Sequence, residues 1–176
     1  MSDYRIDSLP VGGGTVGLCC CPGHRLTPRF VRPALDSLEA DLDTIAAYGA
    51  SHLVTLMQAH ELAYVGVDPG WLAGAAAARG LAWLHLPIRN LSPPGADWEA
   101  GWQGSGATLR RVLAEGGRFA LHCYAGLGRT GTVAARLLME HGASPVEAIA
   151  AVRSARPGSI ETMEQENYIL GGRWKG

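Results

Sequence analysis

The stretch from Leu121 to Gly131, LHCYAGLGRTG, leaves this chain few folds to choose from. An apolar strand stops abruptly at Cys123, a glycine-bearing loop follows, and Arg129 introduces the start of a helix. Such a junction gathers backbone N–H groups around one point, the helix dipole adds partial positive charge, and a guanidinium closes the ring with paired donors. A cysteine facing that ring is predicted to ionise readily, because the donors that hold a substrate's phosphate oxygens also stabilise its thiolate. One loop therefore supplies both a nucleophile and an oxyanion cradle. The expected cradle is Tyr124, Ala125, Gly126, Leu127, Gly128 and Arg129, holding a phosphate- or sulfate-like anion.

Strands and helices alternate on either side of this junction. Residues 11 to 21, VGGGTVGLCCC, read as a turn and an early strand ending at Pro22-Gly23. From Pro33 to Tyr48, Leu35, Leu38, Leu42, Ile45 and Ala46 follow helical spacing, with Asp36, Glu39, Asp41 and Asp43 on an opposite, solvated face and Gly49 as the stop. A strand over Ser51–Met57 then releases Gln58-Ala59-His60-Glu61-Leu62 at its C-terminal edge, where open α/β sheets place ligands. His60 and Glu61 can line a cleft rim there, or serve only as a structural or solvated pair. Asp68-Pro69 caps a helix that runs through Trp71 and Leu72 to Arg79.

Leu81–Pro87 is the next strand, and a loop follows it to Ala96. Asp97 is predicted to open a long helix carrying Trp98, Trp102, Leu109, Val112 and Leu113, loosened by glycines and ended by Gly116-Gly117. Arg118–His122 is the strand that delivers Cys123, and Thr130–His141 the helix behind it, with Val133, Ala134, Leu137 and Leu138 facing the core. Ser144-Pro145-Val146-Glu147 is a capping box that begins a helix to about Arg153, and a last helix spans Met163–Leu170. The alternation predicts an α/β fold with a central, mostly parallel sheet flanked by helices.

With 176 residues, the chain is expected to form a single domain over residues 1–176. A net charge of -1 and 47% hydrophobic residues call for neither a nucleic acid nor a membrane partner. No apolar run approaches the length of a bilayer span, and the N-terminus lacks the order of a signal peptide, so a cytoplasmic location is expected. Cys19, Cys20, Cys21 and Cys123 do not form a disulfide framework, and without CxxC or HxH spacing they call for no metal. The three consecutive cysteines read as small buried hydrophobes, with a minority reading in which one lies close enough to Cys123 to trap it as a disulfide. No cofactor is expected.

Together, GLCCCPG, HLPIRN, LHCYAGLGRTG and RPGSIETMEQENYI resemble the cysteine-dependent protein tyrosine and dual-specificity phosphatases, in particular the cyclin-dependent-kinase-associated (cyclin-dependent kinase inhibitor 3-like) group. The resemblance covers most of the chain and implies the phosphotyrosine protein phosphatase II type of fold. It also implies a two-step hydrolysis of phosphate monoesters. Cys123 attacks phosphorus and forms a thiophosphoryl intermediate, the loop amides and Arg129 hold the nonbridging oxygens, and His122 orients the loop and supports the thiolate from behind. Thr130 donates its hydroxyl to the departing sulfur, or is simply a helix-capping residue. A phosphorylated protein or a small aryl phosphate is the implied substrate, whereas a kinase partner is compatible with the resemblance but called for by no residue.

The pattern breaks at the general acid. Relatives carry aspartate three residues after the proline of HxPxxD, where this chain has Asn90, and asparagine has no acidic proton to give. Loss of a general acid costs about 10²- to 10⁴-fold and falls hardest on poor leaving groups. Asp97 is the candidate substitute, its other reading being N-cap of the following helix. Gln165 stands where relatives place a glutamine that positions the second-step water, and it also fits the third helical position of a capping box begun by Thr162. The residues thus favour a phosphatase acting on phosphotyrosine, possible on phosphoserine or phosphothreonine if an acid is supplied. A phosphate-binding pseudophosphatase is the alternative, and a phosphoinositide substrate ranks last, because the loop adds no lysine.

Overall fold

Gly12, at φ +59°, and Gly13 turn the chain back on itself, so that β1 (Asp7–Val11) and β2 (Gly14–Cys19) pair antiparallel. The computed structural model describes residues 4–24 and 35–174; Met1, Ser2, Asp3, Pro33 and Lys175 lie outside them. Strand β1 was not foreseen in the sequence, because its DSLPV segment contains a proline and a polar start. At a sheet edge neither is a penalty, and Pro10 pairs in register with Thr15.

The remaining strands are parallel. Helix α1 (Leu35–Ala47) leads to β3 (His52–Thr55), α2 (Ala59–Tyr64) and α3 (Pro69–Ala77) to β4 (Ala82–His85), and α4 (Ala96–Ala114) to β5 (Arg118–His122). The strand order is β1-β2-β5-β3-β4, which places β5 at the centre. Phe119, Ala120, Leu121 and His122 are each 0% exposed, so both faces of that strand are covered, as parallel sheets require. Three helices follow: α5 (Gly128–Glu140), α6 (Pro145–Ala155) and α7 (Met163–Gly171). The mostly parallel α/β architecture is as predicted, and so are the Asp68 cap on α3 and the Ser144–Glu147 capping box on α6.

Several local expectations change. Asp41 is not on a solvated face: it lies on the same stripe as Leu38, Leu42 and Ile45, is fully buried, and accepts the Gly23 N–H at 2.7 Å. Asp43 pairs with Arg79 at 2.6 Å. Segment 58–62 opens α2, at whose start the Glu61 carboxylate accepts the Gln58 N–H at 2.8 Å. Asp97 is not an N-cap; Gly95 holds that place without a side-chain bond, and Asp97 sits exposed in the first turn, where its charge complements the dipole. Helix α5 begins at Gly128 rather than Thr130, so Arg129 and Thr130 are both helical.

Because α5 is buried nearly all round, its charges must be paired. Arg136 donates through Nε to Glu140 at 2.8 Å and through Nη1 to the Tyr168 hydroxyl at 2.6 Å, and it also pairs with Glu99. Its guanidinium lies 5.2 Å, 5.6 Å and 4.6 Å from the ring centroids of Trp98, Trp102 and Trp174. Trp102 Nε1 and Arg110 donate to the Glu140 carboxylate at 2.9 and 3.0 Å. One buried cluster therefore joins α4, α5 and α7.

Candidate active site

Backbone accounting explains how the loop after β5 becomes a cradle. The Cys123 carbonyl accepts from His122 Nδ1 at 3.1 Å, the Tyr124 carbonyl from the Cys21 N–H at 3.0 Å, and the Ala125 carbonyl from Arg156 Nη2 at 2.9 Å. Across a trans peptide, C=O and N–H point in opposite directions. Three carbonyls held outward thus turn the next three N–H groups, those of Tyr124, Ala125 and Gly126, toward the pocket. Gly126 has φ +73°, and a Cβ there would overlap the Cys19 carbonyl, so only glycine lets the loop lie against β2. The Leu127 carbonyl then accepts from Gly131 at 2.9 Å, and α5 starts with no side-chain cap, leaving its N-terminal amides directed at the same place.

His122 is fully buried, and burial pushes its imidazole down to about 4. Trp83 Nε1 donates to Thr55 Oγ1 at 2.8 Å, so the threonine proton is directed to His122 Nε2 at 2.7 Å and the imidazole proton lies on Nδ1, facing the Cys123 carbonyl. The ring is neutral near pH 7. It orients the loop through the backbone and brings no charge behind the sulfur.

Arg129 is 2% exposed, and Glu61 holds it end-on, with Nη1–Oε2 at 2.7 Å and Nη2–Oε1 at 3.0 Å. Nη1 also donates to the Ile88 carbonyl at 3.0 Å. This geometry commits the end of the guanidinium and leaves the parallel Nε–H and second Nη2–H edge without a protein acceptor among the described residues. A tetrahedral oxyanion engages such an edge with two hydrogen bonds. Of the two rim candidates, Glu61 is brought into the site as the partner of the arginine, whereas His60 is exposed.

The pocket over the loop has a volume of about 150 Å³ and is lined by Asn90, Leu91, Cys123, Tyr124, Ala125, Arg129, Glu161 and Gln165. Asn90 thus occupies the wall where the family pattern places its acid. Asp97 is not among the lining residues. Thr130 Oγ1 is buried with no hydrogen-bond partner among the described residues, and its position inside the helix replaces the capping reading.

Gln165 does close the capping box. Its Oε1 accepts from Glu161 and Thr162 N–H groups at 2.9 and 3.2 Å, while Nε2 donates to the Ser92 carbonyl at 3.4 Å. Arg156, Glu161, Thr55 and Trp83 were passed over in the sequence. The first two lie within the tract RPGSIETMEQENYI and were available as candidates from it.

Cys19, Cys21 and Cys123 are free thiols. Burial pushes the Cys19 thiol up to about 12 and that of Cys21 well above its ordinary value, which fits small core residues. Cys21 nevertheless runs beside the loop through its bond to Tyr124. No helix among the described residues is long and apolar enough to cross a membrane.

Comparison with known proteins bears on the family and the fold. Residues 34–169 match the family model described as "PTP-SAK: Swiss Army Knife protein, DSP-PTPase phosphatase domain". Cyclin-dependent kinase inhibitor 3 of Mus musculus is 28% identical over 158 residues, covering 88% of this chain and 69% of that protein. A probable protein tyrosine phosphatase type IVA A of Dictyostelium discoideum is 28% identical over 141 residues, covering 80% and 77%. Among solved structures, kinase associated phosphatase with its catalytic-site cysteine replaced by serine superposes with a TM-score of 0.81 at 26% identity, over 97% of both chains. The active form of Tk-PTP gives 0.66 at 29% identity, over 89% and 88%.

Proposed function

The chain belongs to the PTP-SAK (Swiss Army Knife) family of DSP-PTPase phosphatase domains, and from that membership we propose that it hydrolyses aryl phosphate monoesters, phosphotyrosine above all. The observation that carries this reading is the cradle itself: three outward-held carbonyls and the uncommitted edge of Arg129 around Cys123. The Cys123 thiolate attacks phosphorus, and as the S–P bond forms the P–O ester bond breaks with its electron pair on the ester oxygen, which takes a proton from solvent as it leaves. Charge on the three nonbridging oxygens is met by loop amides, the α5 N-terminus and Arg129, all positioned before the reaction begins. Water then attacks phosphorus and the S–P bond breaks. The Thr130 hydroxyl, unpartnered and buried, is the donor available to the departing sulfur.

Asn90 sets the substrate preference. No acidic proton reaches the leaving oxygen from the usual wall, and Asp97 lies outside the pocket, so a phenol, with its pKa near 10, leaves more readily than an alkyl alcohol. Phosphoserine and phosphothreonine are therefore poorer substrates. The same asparagine favours a second reading, a module that binds phosphorylated partners without turning them over. A panel of phosphotyrosine peptide, phosphothreonine peptide and phosphoinositide decides between them on wild type, Cys123→Ser and Asn90→Asp. Turnover of the phosphotyrosine peptide, abolished by Cys123→Ser and extended to phosphothreonine by Asn90→Asp, is the expected result. Binding of the phosphotyrosine peptide by wild type without release of phosphate replaces the enzyme with the binder, and full turnover by Cys123→Ser refutes the mechanism.

A further inference from the structure

In relatives a glutamine at the position of Gln165 is expected to orient the second-step water, yet here its amide has other work. Oε1 receives two backbone N–H groups and Nε2 faces a carbonyl, so the orientation of the amide is determined and its acceptor is committed to the turn before α7. The opposite flip would set its NH₂ against two donors and its oxygen against the Ser92 carbonyl. Buried and bonded on both ends, Gln165 cannot swing an acceptor into the pocket without opening the start of α7.

Glu161 stands beside it. Among the eight lining residues it is the only carboxylic acid. Its Oε2 and the Gln165 amide converge over Gly128, the first residue of α5, where a Cβ would collide with the carboxylate and crowd the amide. The Glu161 carboxylate has no hydrogen bond and no ion pair with any described residue, while its own backbone N–H is pinned by Gln165. The glutamine thereby fixes the turn that points the acid at the rim of the cradle.

We propose that Glu161 is the general base of the second step, which rests on the phosphatase reading above. Water held between the Glu161 carboxylate and the phosphocysteine gives a proton to that carboxylate as its oxygen bonds to phosphorus. The S–P bond breaks, its electron pair returns to Cys123 as thiolate, and orthophosphate is released with the proton passing from Glu161 to solvent or product. Gln165 is a positioning residue, acting through the turn and not on the water.

The test is rapid-quench kinetics with p-nitrophenyl phosphate on wild type and Glu161→Gln, with near-ultraviolet circular dichroism to confirm that the variant is folded. Removing a general base costs about 10²-fold or more. Glu161→Gln should release about one equivalent of nitrophenol at the wild-type rate, then turn over about 100-fold more slowly. Phosphocysteine should accumulate and be seen by mass spectrometry after acid quench, and the acidic limb of the kcat–pH profile should disappear. A folded Glu161→Gln that turns over at the wild-type rate without a burst overturns the proposal. So does a variant whose burst slows in parallel with turnover, since that places Glu161 in the first step or in loop structure. Failure of the phosphatase reading looks different: wild type itself would then release no nitrophenol.

Discussion

Glu61 offers the sharpest perturbation outside the cradle, because among the described residues it is the only carboxylate paired with the almost fully buried Arg129. In Glu61→Ala the guanidinium keeps the Ile88 carbonyl at 3.0 Å and a distant Leu56 carbonyl at 3.5 Å, but loses both charge-assisted bonds. Breaking a buried pair from one side costs about 3–5 kcal/mol. The Glu61 side chain is 16% exposed, so water softens the loss and the lower end, about 3 kcal/mol, applies. With a urea slope of about 2 kcal/mol per molar, the unfolding midpoint should fall by about 1.5 M. Glu61→Gln keeps an acceptor and should lose about half as much. Activity tracks the same contact: with its end unanchored, the arginine no longer presents its other edge in register, and kcat/KM on an aryl phosphate should fall by about 100-fold. A Glu61→Ala midpoint within about 0.3 M of wild type, with kcat/KM unchanged, refutes the view that this pair holds the arginine in place.

Two further outcomes follow from the site. Because burial lowers His122 from 6.5 to about 4, the unfolded chain binds a proton that the folded chain refuses between those values; stability is therefore intact above pH 6.5 and is lost as pH falls toward 4. Urea titrations of wild type should lose about 2 kcal/mol from this group between pH 7 and pH 5, and His122→Asn should flatten that slope; an unchanged slope removes His122 as its source. Gly126→Ala must seat a Cβ at positive φ against the Cys19 carbonyl, a clash of backbone with backbone, so it should cost more than about 2 kcal/mol and abolish tungstate binding measured by calorimetry. Wild-type tungstate affinity in that variant would show that the loop does not need its close approach to β2.

The junction of β5, loop and α5 was legible in the sequence because its logic is local. Strand, turn and helix start occupy adjacent residues, and each has a known backbone consequence. The parallel sheet was legible for the same reason, through repeated alternation of apolar runs and helical spacing. What escaped is non-local. Glu61 meets Arg129 across 68 positions and Arg156 reaches Ala125 across 31, distances at which periodicity carries no signal. Asp41 was misplaced because its charge was weighed above its position on the apolar stripe, where its carboxylate accepts the Gly23 N–H. Asp97 was overvalued by rank in sequence: nearness along the loop after Asn90 did not bring it to the pocket, whereas Glu161 arrives from the far end of the chain.

Arg136 is not among the residues that line the pocket, yet it joins the three helices that follow its walls: α4 after the Asn90 loop, α5 after the cradle and α7 after Glu161. The walls are thus tuned as a set. A helix displaced on one side carries charge partners that sit on the other two, so the three are held as one frame.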